Sequence, residues 1–245
     1  HCAQPFCETV RLIAEKYQGW AEDPPGRPLC LVRMSATPGE EPDFRLEDED
    51  LEESEELRRR VHASKPAELT LVKSQGDSRA ALVEELVSRA LNLLDRPRVV
   101  GVVVNRVVDA RAVFSSLPLP EGSKLLLTGR ARGWERDRLL SSWIPRLRAG
   151  ERGTPSEPLV VVATQCIEVG ANLDFDALVT EIASLDALRQ RFGRLNRLGC
   201  RDDAQAGVVA VEEQVGLEED GSASEPDPVY EHAIGLHGVG DGLPA

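Results

Sequence analysis

Apolar positions in this chain fall into short unbroken runs, separated by stretches whose apolar residues recur at a helical period. Arg98–Val104 (RVVGVVV) and Leu159–Ala163 (LVVVA) are continuous and rich in β-branched residues, the pattern of strands buried on both faces. Leu69–Lys73, Lys124–Leu127, Ala177–Val179 and Gly207–Val211 are shorter strand candidates. Between them, Asp77–Leu94 places Leu82, Leu86, Val87 and Leu91 along one side of a helix. Val107–Leu117 and Trp134–Ala149 read as further helices, the last bent or broken at Pro145. Strands alternating with helices of this length predict right-handed βαβ units, and so an α/β fold with a parallel sheet. Upstream, Phe6, Val10, Ile13 and Tyr17 predict a helix, ended by Gly19 and Pro24-Pro25. Pro28–Met34 then reads as a buried strand running into Ser35-Ala36-Thr37.

The charge pattern changes the picture. The net charge is −13, which argues against nucleic-acid contact until it is mapped along the chain. Glu40–Glu56 holds eleven acids against one arginine, and Glu212–Ala245 holds nine acids with no Lys or Arg. The remainder is mildly basic, and Arg130–Arg152 is its most basic stretch, with seven arginines and three acids. Segregation of this kind permits contact with a polyanion. Glu40–Arg60 reads as a flexible, solvated insertion, and the Gly/Pro/Ser-rich segment after Val211 as an acidic tail. The five cysteines are odd in number and form no CxxC, so free thiols in a reducing cytosol are expected, with no metal site. No apolar run approaches the roughly 20 residues that span a bilayer, so no membrane partner is expected.

Val160–Gly199 concentrates the chemistry. A buried strand leads into a polar, glycine-bearing crossing (Thr164–Asp174), a short strand, and a predicted helix over Asp186–Arg197 with Ser184 as its N-cap. On such a helix Gln190, Arg194 and Arg197 share one face, and Leu188, Phe192 and Leu195 another. Two guanidinium forks on one face suit the oxygens of a polyphosphate. The plain alternative is a solvated arginine face pairing with Glu181 or Asp186. Gly193 inside the helix points to close approach of a backbone or a ligand.

QRFGRLNR resembles motif VI of superfamily 2 helicases, and ATQCIEVGANLDFD resembles motif V. With Glu168, Asp174–Asp176 and Thr180-Glu181, the fuller pattern is similar to the CRISPR-associated type I helicase–nucleases. That resemblance implies a RecA-like parallel sheet with flanking helices, forming a second helicase lobe, preceded by the end of a first lobe. On it, Arg194 and Arg197 stabilise the transferring phosphoryl group of ATP, with Gln190 positioning them or the water. Gly170, Asn172, Asp174 and Arg191 face the nucleotide, and His1 is the last residue of a DEAH box. Asn172 stands where many such helicases carry an aspartate, so Asp174 either substitutes for it or caps the following turn. Thr164, Asn105 (resembling motif IV) and Arg130 track a single DNA strand, although for Arg130 a surface ion pair competes. Ser35-Ala36-Thr37 resembles motif III, which couples the two sites. Glu168 and Asp176 read equally as structural or functional, and Trp134 and Trp143 as core anchors.

The domains expected on this reading are residues 1–38 (end of the first lobe), 39–64 (acidic insertion or linker), 65–211 (second lobe) and 212–245 (tail). The implied cofactors are ATP and Mg²⁺, whose first-lobe ligands are not in this chain. The implied partners are single-stranded DNA, the missing first lobe and an RNA-guided surveillance complex. The 245-residue piece alone is expected not to hydrolyse ATP. The competing readings are another superfamily 2 motor, a non-catalytic DNA- or protein-binding module, and a dinucleotide-binding domain, which would need a GxGxxG that is absent from the sequence.

Overall fold

The computed structural model describes residues 6, 8–13, 16, 45–73, 76–96, 98–129, 141–150, 155–168 and 172–215. The chain divides into two compact units, residues 1–43 and 44–245. In the first, residues 6, 8–13 and 16 are helical, as the spacing of Phe6, Val10 and Ile13 predicts. The expected strand at Pro28–Met34, together with Ser35, Ala36, Thr37 and His1, lies outside the described residues, as do Arg130, Trp134 and Gly170.

The second unit is built on a six-stranded, fully parallel sheet. Its strands are β1 (Ala67–Val72), β2 (Val99–Val103), β3 (Lys124–Leu127), β4 (Leu159–Ala163), β5 (Ala177–Glu181) and β6 (Gln205–Val211). They lie in the order β1-β6-β5-β2-β4-β3. Every residue of β2, β4 and β5 is buried, which is what continuous apolar runs demand of strands covered on both faces. With its flanking helices this is a RecA-like lobe.

The helices of this unit are α1 (Asp48–Glu53), α2 (Glu55–Val61), α3 (Ser78–Asn92), α4 (Val107–Ser116), α5 (residues 141–147) and α6 (Leu185–Phe192). α3 begins where the Asp77 carboxylate accepts from the amides of Arg79 and Ala80, at 3.0 and 3.2 Å. Its Leu82, Leu86 and Ala90, with Ala110 and Val113 of α4, cover one face of the sheet over Val100, Val102, Val160, Val162 and Val179. On the other face, Leu147, Ile167, Leu173, Phe175 and Leu195 pack on Val99, Val103, Val161 and Leu178. Each fully buried side chain of this size stabilises the fold by about 1.5–3 kcal/mol. Gly101 in β2 lets the Phe175 ring lie on the strand, since a Cβ there would stand 2.6 Å from Cδ2 of that ring.

Three expectations are corrected. The acidic segment, expected to be flexible, forms two helices, α1 and α2, on either side of Ser54. Glu47 and Asp50 form a reciprocal capping box for α1, and Ser54 caps α2 by accepting from the Leu57 amide at 3.3 Å. Of the bend or break expected at Pro145, the break is absent, since residues 141–147 are helical through it. The helix predicted over Asp186–Arg197 stops at Phe192, with Gly193 as its C-cap. The chain then leaves the helix because Phe175 captures it: Phe175 N donates to Arg194 O at 2.8 Å and Asn196 N to Phe175 O at 2.9 Å. Asn196 takes up a left-handed φ of 42° to complete the turn.

Candidate functional site

The carboxyl ends of β2, β4 and β5 open onto one polar cluster. Asn105 follows β2, Thr164 and the turn Gln165–Ile167 follow β4, and Glu181 ends β5. Open α/β sheets present their ligand-binding groups at this edge.

Arg191 is the centre of that cluster, and it has no solvent exposure. Its Nε donates to Glu168 Oε1 at 2.9 Å, Nη1 to Thr180 Oγ1 and Glu181 O at 2.9 Å each, and Nη2 to Asn105 Oδ1 at 2.7 Å. A charge this deep is tolerated because a carboxylate and three further acceptors replace its water. The side chain lies inside the lobe, joining the segments that resemble motifs IV, V and VI. Asn105 is tied into the same cluster: its Nδ2 donates to Ile182 O at 2.8 Å, and its Oδ1 accepts from Arg191.

Glu181 is equally buried. Its Oε2 accepts from Asn105 N at 2.7 Å, and its Oε1 from Arg79 Nη1 at 2.8 Å and Gln214 Nε2 at 3.0 Å. Arg79 also pairs with Asp109, while its Nε is buried without a partner among the described residues. Burial lowers the pKa of Arg79, but the hydrogen bonds and charges of Glu181 and Asp109 outweigh that and raise it above the ordinary arginine value. The sequence does not single out Arg79, Asp109 or Gln214, and it presents Glu181 as part of the Thr180-Glu181 pattern or as a partner for the helix arginines, not as a buried acceptor. One signal was available: Glu181 closes an otherwise buried strand, where a carboxylate needs a partner.

Gln190, Arg194 and Arg197 do not share a helix face, because only Gln190 lies within α6. Gln190 is half-buried, and its amide bonds to none of the described residues. Arg194 is 7% exposed and reaches back to the turn after β4, donating from Nε to Ile167 O at 3.0 Å and from Nη2 to Glu168 O at 2.7 Å. Arg197 is half-buried. Its main-chain N donates to Asp174 Oδ1 at 2.8 Å, and its Nη1 to Gly193 O at 3.3 Å. Asp174 thus caps the turn that presents Arg197. Asn172 is exposed, and its carbonyl accepts from Ala149 N at 3.2 Å. Thr164 is buried at the end of β4. Asp176 spans the amino end of β2, accepting from Val99 N at 2.7 Å and from Arg201 Nε at 2.5 Å.

Charge compensation separates these arginines. Arg79, Arg98, Arg191 and Arg201 each hold a carboxylate. Among the described residues the guanidinium groups of Arg194 and Arg197 have only carbonyl partners. No three His, Cys, Asp or Glu side chains among the described residues come together as a metal site, and no helix among them is long and apolar enough to cross a membrane. Cys166 and Cys200 are exposed free thiols.

Residues 96–199 match the family described as CRISPR-associated nuclease/helicase Cas3, C-terminal. A CRISPR-associated helicase Cas3 of Thermoproteus tenax is 35% identical over 114 residues, covering 45% of this chain and 18% of that protein. A CRISPR-associated nuclease/helicase Cas3 of Methanothermobacter thermautotrophicus is 42% identical over 53 residues, covering 20% of this chain and 6% of that protein. A chain in a solved CRISPR RNA-guided surveillance complex, pre-nicking, shares the fold with a TM-score of 0.50 at 21% identity, over 68% of this chain and 21% of that one. The chain spans less than a fifth of the length of these curated relatives.

Proposed function

We propose that the chain, whose residues 96–199 match the family described as CRISPR-associated nuclease/helicase Cas3, C-terminal, is the arginine-bearing half of an ATP-driven DNA helicase of CRISPR interference. The observation that carries this reading is the pair of guanidinium groups, Arg194 and Arg197, that have only carbonyl partners among the described residues, whereas Arg191 of the same motif holds the Glu168 carboxylate. Two such forks, three residues apart beyond a helix end, fit a polyphosphate.

ATP bound between this lobe and a first lobe supplies the γ-phosphoryl group whose transfer to water drives the motor. Arg197 stabilises charge on that group, its turn held by Asp174. Arg194 does so with the part of its fork not bonded to Ile167 and Glu168, and ties the nucleotide-facing turn to the segment after β4. Gln190 orients the arginines or the water, and Gly170 with Asn172 faces the ribose. The Mg²⁺ ligands belong to the first lobe, to which His1 and Ser35-Ala36-Thr37 contribute the end of a DEAH box and the coupling motif. Thr164 and Arg130 hold phosphates of a single DNA strand, and Asn105 shapes that track from within. Closure of the cleft moves the lobe along the strand, and hydrolysis reopens it. An RNA-guided surveillance complex is the proposed recruiting partner.

The test is Arg197→Ala in the full-length protein that carries this chain. DNA-stimulated ATP turnover falls by roughly 10³–10⁵, as for other arginine fingers, while binding to single-stranded DNA is retained. Undiminished turnover overturns the proposal. The 245-residue chain alone is expected to show no ATP hydrolysis, so Mg²⁺-dependent turnover by it overturns the two-lobe reading.

A further inference from the structure

The segment leading into β1 touches the turn that carries Arg194 and Arg197 at both of its ends. On the near side, Lys65 Nζ donates to the carbonyl of Phe192 at 3.1 Å, the last residue of α6. That carbonyl is one of the four that a helix end leaves without an i+4 partner, and a cationic donor is the favoured cap. On the far side, Arg59, in the last turn of α2, donates from Nε to the carbonyl of Leu198 at 3.0 Å. The backbone of α2 closes on the same point. A Cβ on Gly199 would fall on the carbonyl oxygen of Arg59 and lie 2.8 Å from its carbonyl carbon. Gly199 also has a φ of 65°, where glycine is favoured.

From this bracketing we infer that Arg59 and Lys65 are positioning residues for the Arg194–Arg197 turn, and that the acidic helices feeding β1 set the pose of the arginines. The inference rests on the reading of those arginines as ATP-facing. Two carbonyls, Phe192 and Leu198, define the ends of the turn, and each is held by a cation from one seven-residue stretch, Arg59 to Lys65. Between them, among the described residues, the Arg197 main chain is anchored to another element by the bond to Asp174. The consequence is mechanical. Whatever displaces α2 and the segment leading into β1 is transmitted to the turn through these two cations.

The test has two arms. In the 245-residue chain, hydrogen exchange is followed at the amides of Arg197 and Gly199, with β2 and β4 amides as internal controls. For the double variant Arg59→Ala/Lys65→Ala the turn amides exchange about tenfold faster while the control amides do not change, and Lys65→Arg keeps the wild-type rate. Wild-type exchange at the turn in the double variant overturns the inference. In the full-length protein, the double variant lowers kcat for ATP about tenfold with KM within about twofold, the signature of a group lost only in the transition state. Arg197→Ala is measured beside it. If Arg197→Ala abolishes turnover and the double variant leaves kcat unchanged, the positioning inference fails and the proposed function stands. If Arg197→Ala has no effect, the proposed function fails, and the positioning inference falls with it as a statement about catalysis.

Discussion

Arg191 and Arg197 lie six positions apart in one motif, yet the two regions around them are built on opposite principles. Around Arg191, charge is satisfied internally: Glu168, Thr180, Glu181 and Asn105 surround a guanidinium with no exposed surface. Around Arg197, the backbone is held by Asp174 on its own amide and by Lys65 and Arg59 on flanking carbonyls, and the guanidinium has only the Gly193 carbonyl among the described residues. The first arrangement locks a side chain, and the second locks a main chain while leaving the side chain its charge. A motif dense in arginine therefore divides its labour. One arginine ties the lobe together so that the others can be presented.

The largest expected effect tests that division directly. Arg191→Met leaves the Glu168 carboxylate, the Thr180 hydroxyl and the Asn105 amide without their shared partner. We expect a loss of about 3–5 kcal/mol, the usual cost of breaking a buried ion pair from one side. Arg197→Met, half-buried and without a carboxylate partner, is expected to change stability by no more than about 0.5 kcal/mol. Urea unfolding of the 245-residue chain reads both. Equal losses for the two variants would erase the distinction.

The sequence shows these regions unequally. Strand runs such as RVVGVVV and LVVVA carry their own diagnosis, because an unbroken β-branched run has only one comfortable place, and β2 and β4 lie there. Polar positions do not. The spacing of Gln190, Arg194 and Arg197 predicts a shared face only if the helix continues, and what ends it is Phe175, some twenty residues earlier in the chain. Likewise nothing local distinguishes Arg191 from its neighbours, since its burial is decided by Glu168, Asn105 and Glu181 arriving from three other elements. The acidic segment misled for a related reason. Its composition reads as solvated, and it is solvated, but paired caps at Glu47 and Ser54 make it helical all the same.

A smaller effect is expected where the two regions share a foundation. Phe175 lies on Gly101 on one side and bridges Arg194 and Asn196 on the other. Gly101→Ala forces the ring away, for an expected loss of about 1–3 kcal/mol by overpacking. The same displacement speeds exchange at the Asn196 amide. Phe175→Leu in the Gly101→Ala background recovers part of the loss. A thermal melt of the single and double variants checks the coupling, and strict additivity would show that the ring does not transmit the strain.

Next in size is the cap of α3. Asp77→Ala removes the acceptor for the Arg79 and Ala80 amides and is expected to cost about 1 kcal/mol. Arg79 is the cation shared by Glu181 and Asp109. Fraying there therefore loosens the interior cluster, and exchange at the Asn105 amide quickens while that at Arg197 does not. Parallel quickening at both amides would mean that the two regions open as one unit.

The smallest effect is a pH dependence. The pKa of Lys65 is lowered from 10.5, first by burial and then by the nearby Arg197 charge, with Asp174 opposing both. Between the lowered value and 10.5 the unfolded chain binds more protons at this site than the folded one, so this group's contribution to stability rises with pH through that window. The measured quantity is the difference in unfolding free energy between wild type and Lys65→Gln, followed through the alkaline range. That difference should move in favour of wild type as pH rises. Arg197→Met removes one of the two lowering influences and should flatten the slope. An unaltered slope in that variant would show that Lys65 does not sense the Arg197 charge, and the outer grip on the turn would then be a matter of backbone hydrogen bonds alone.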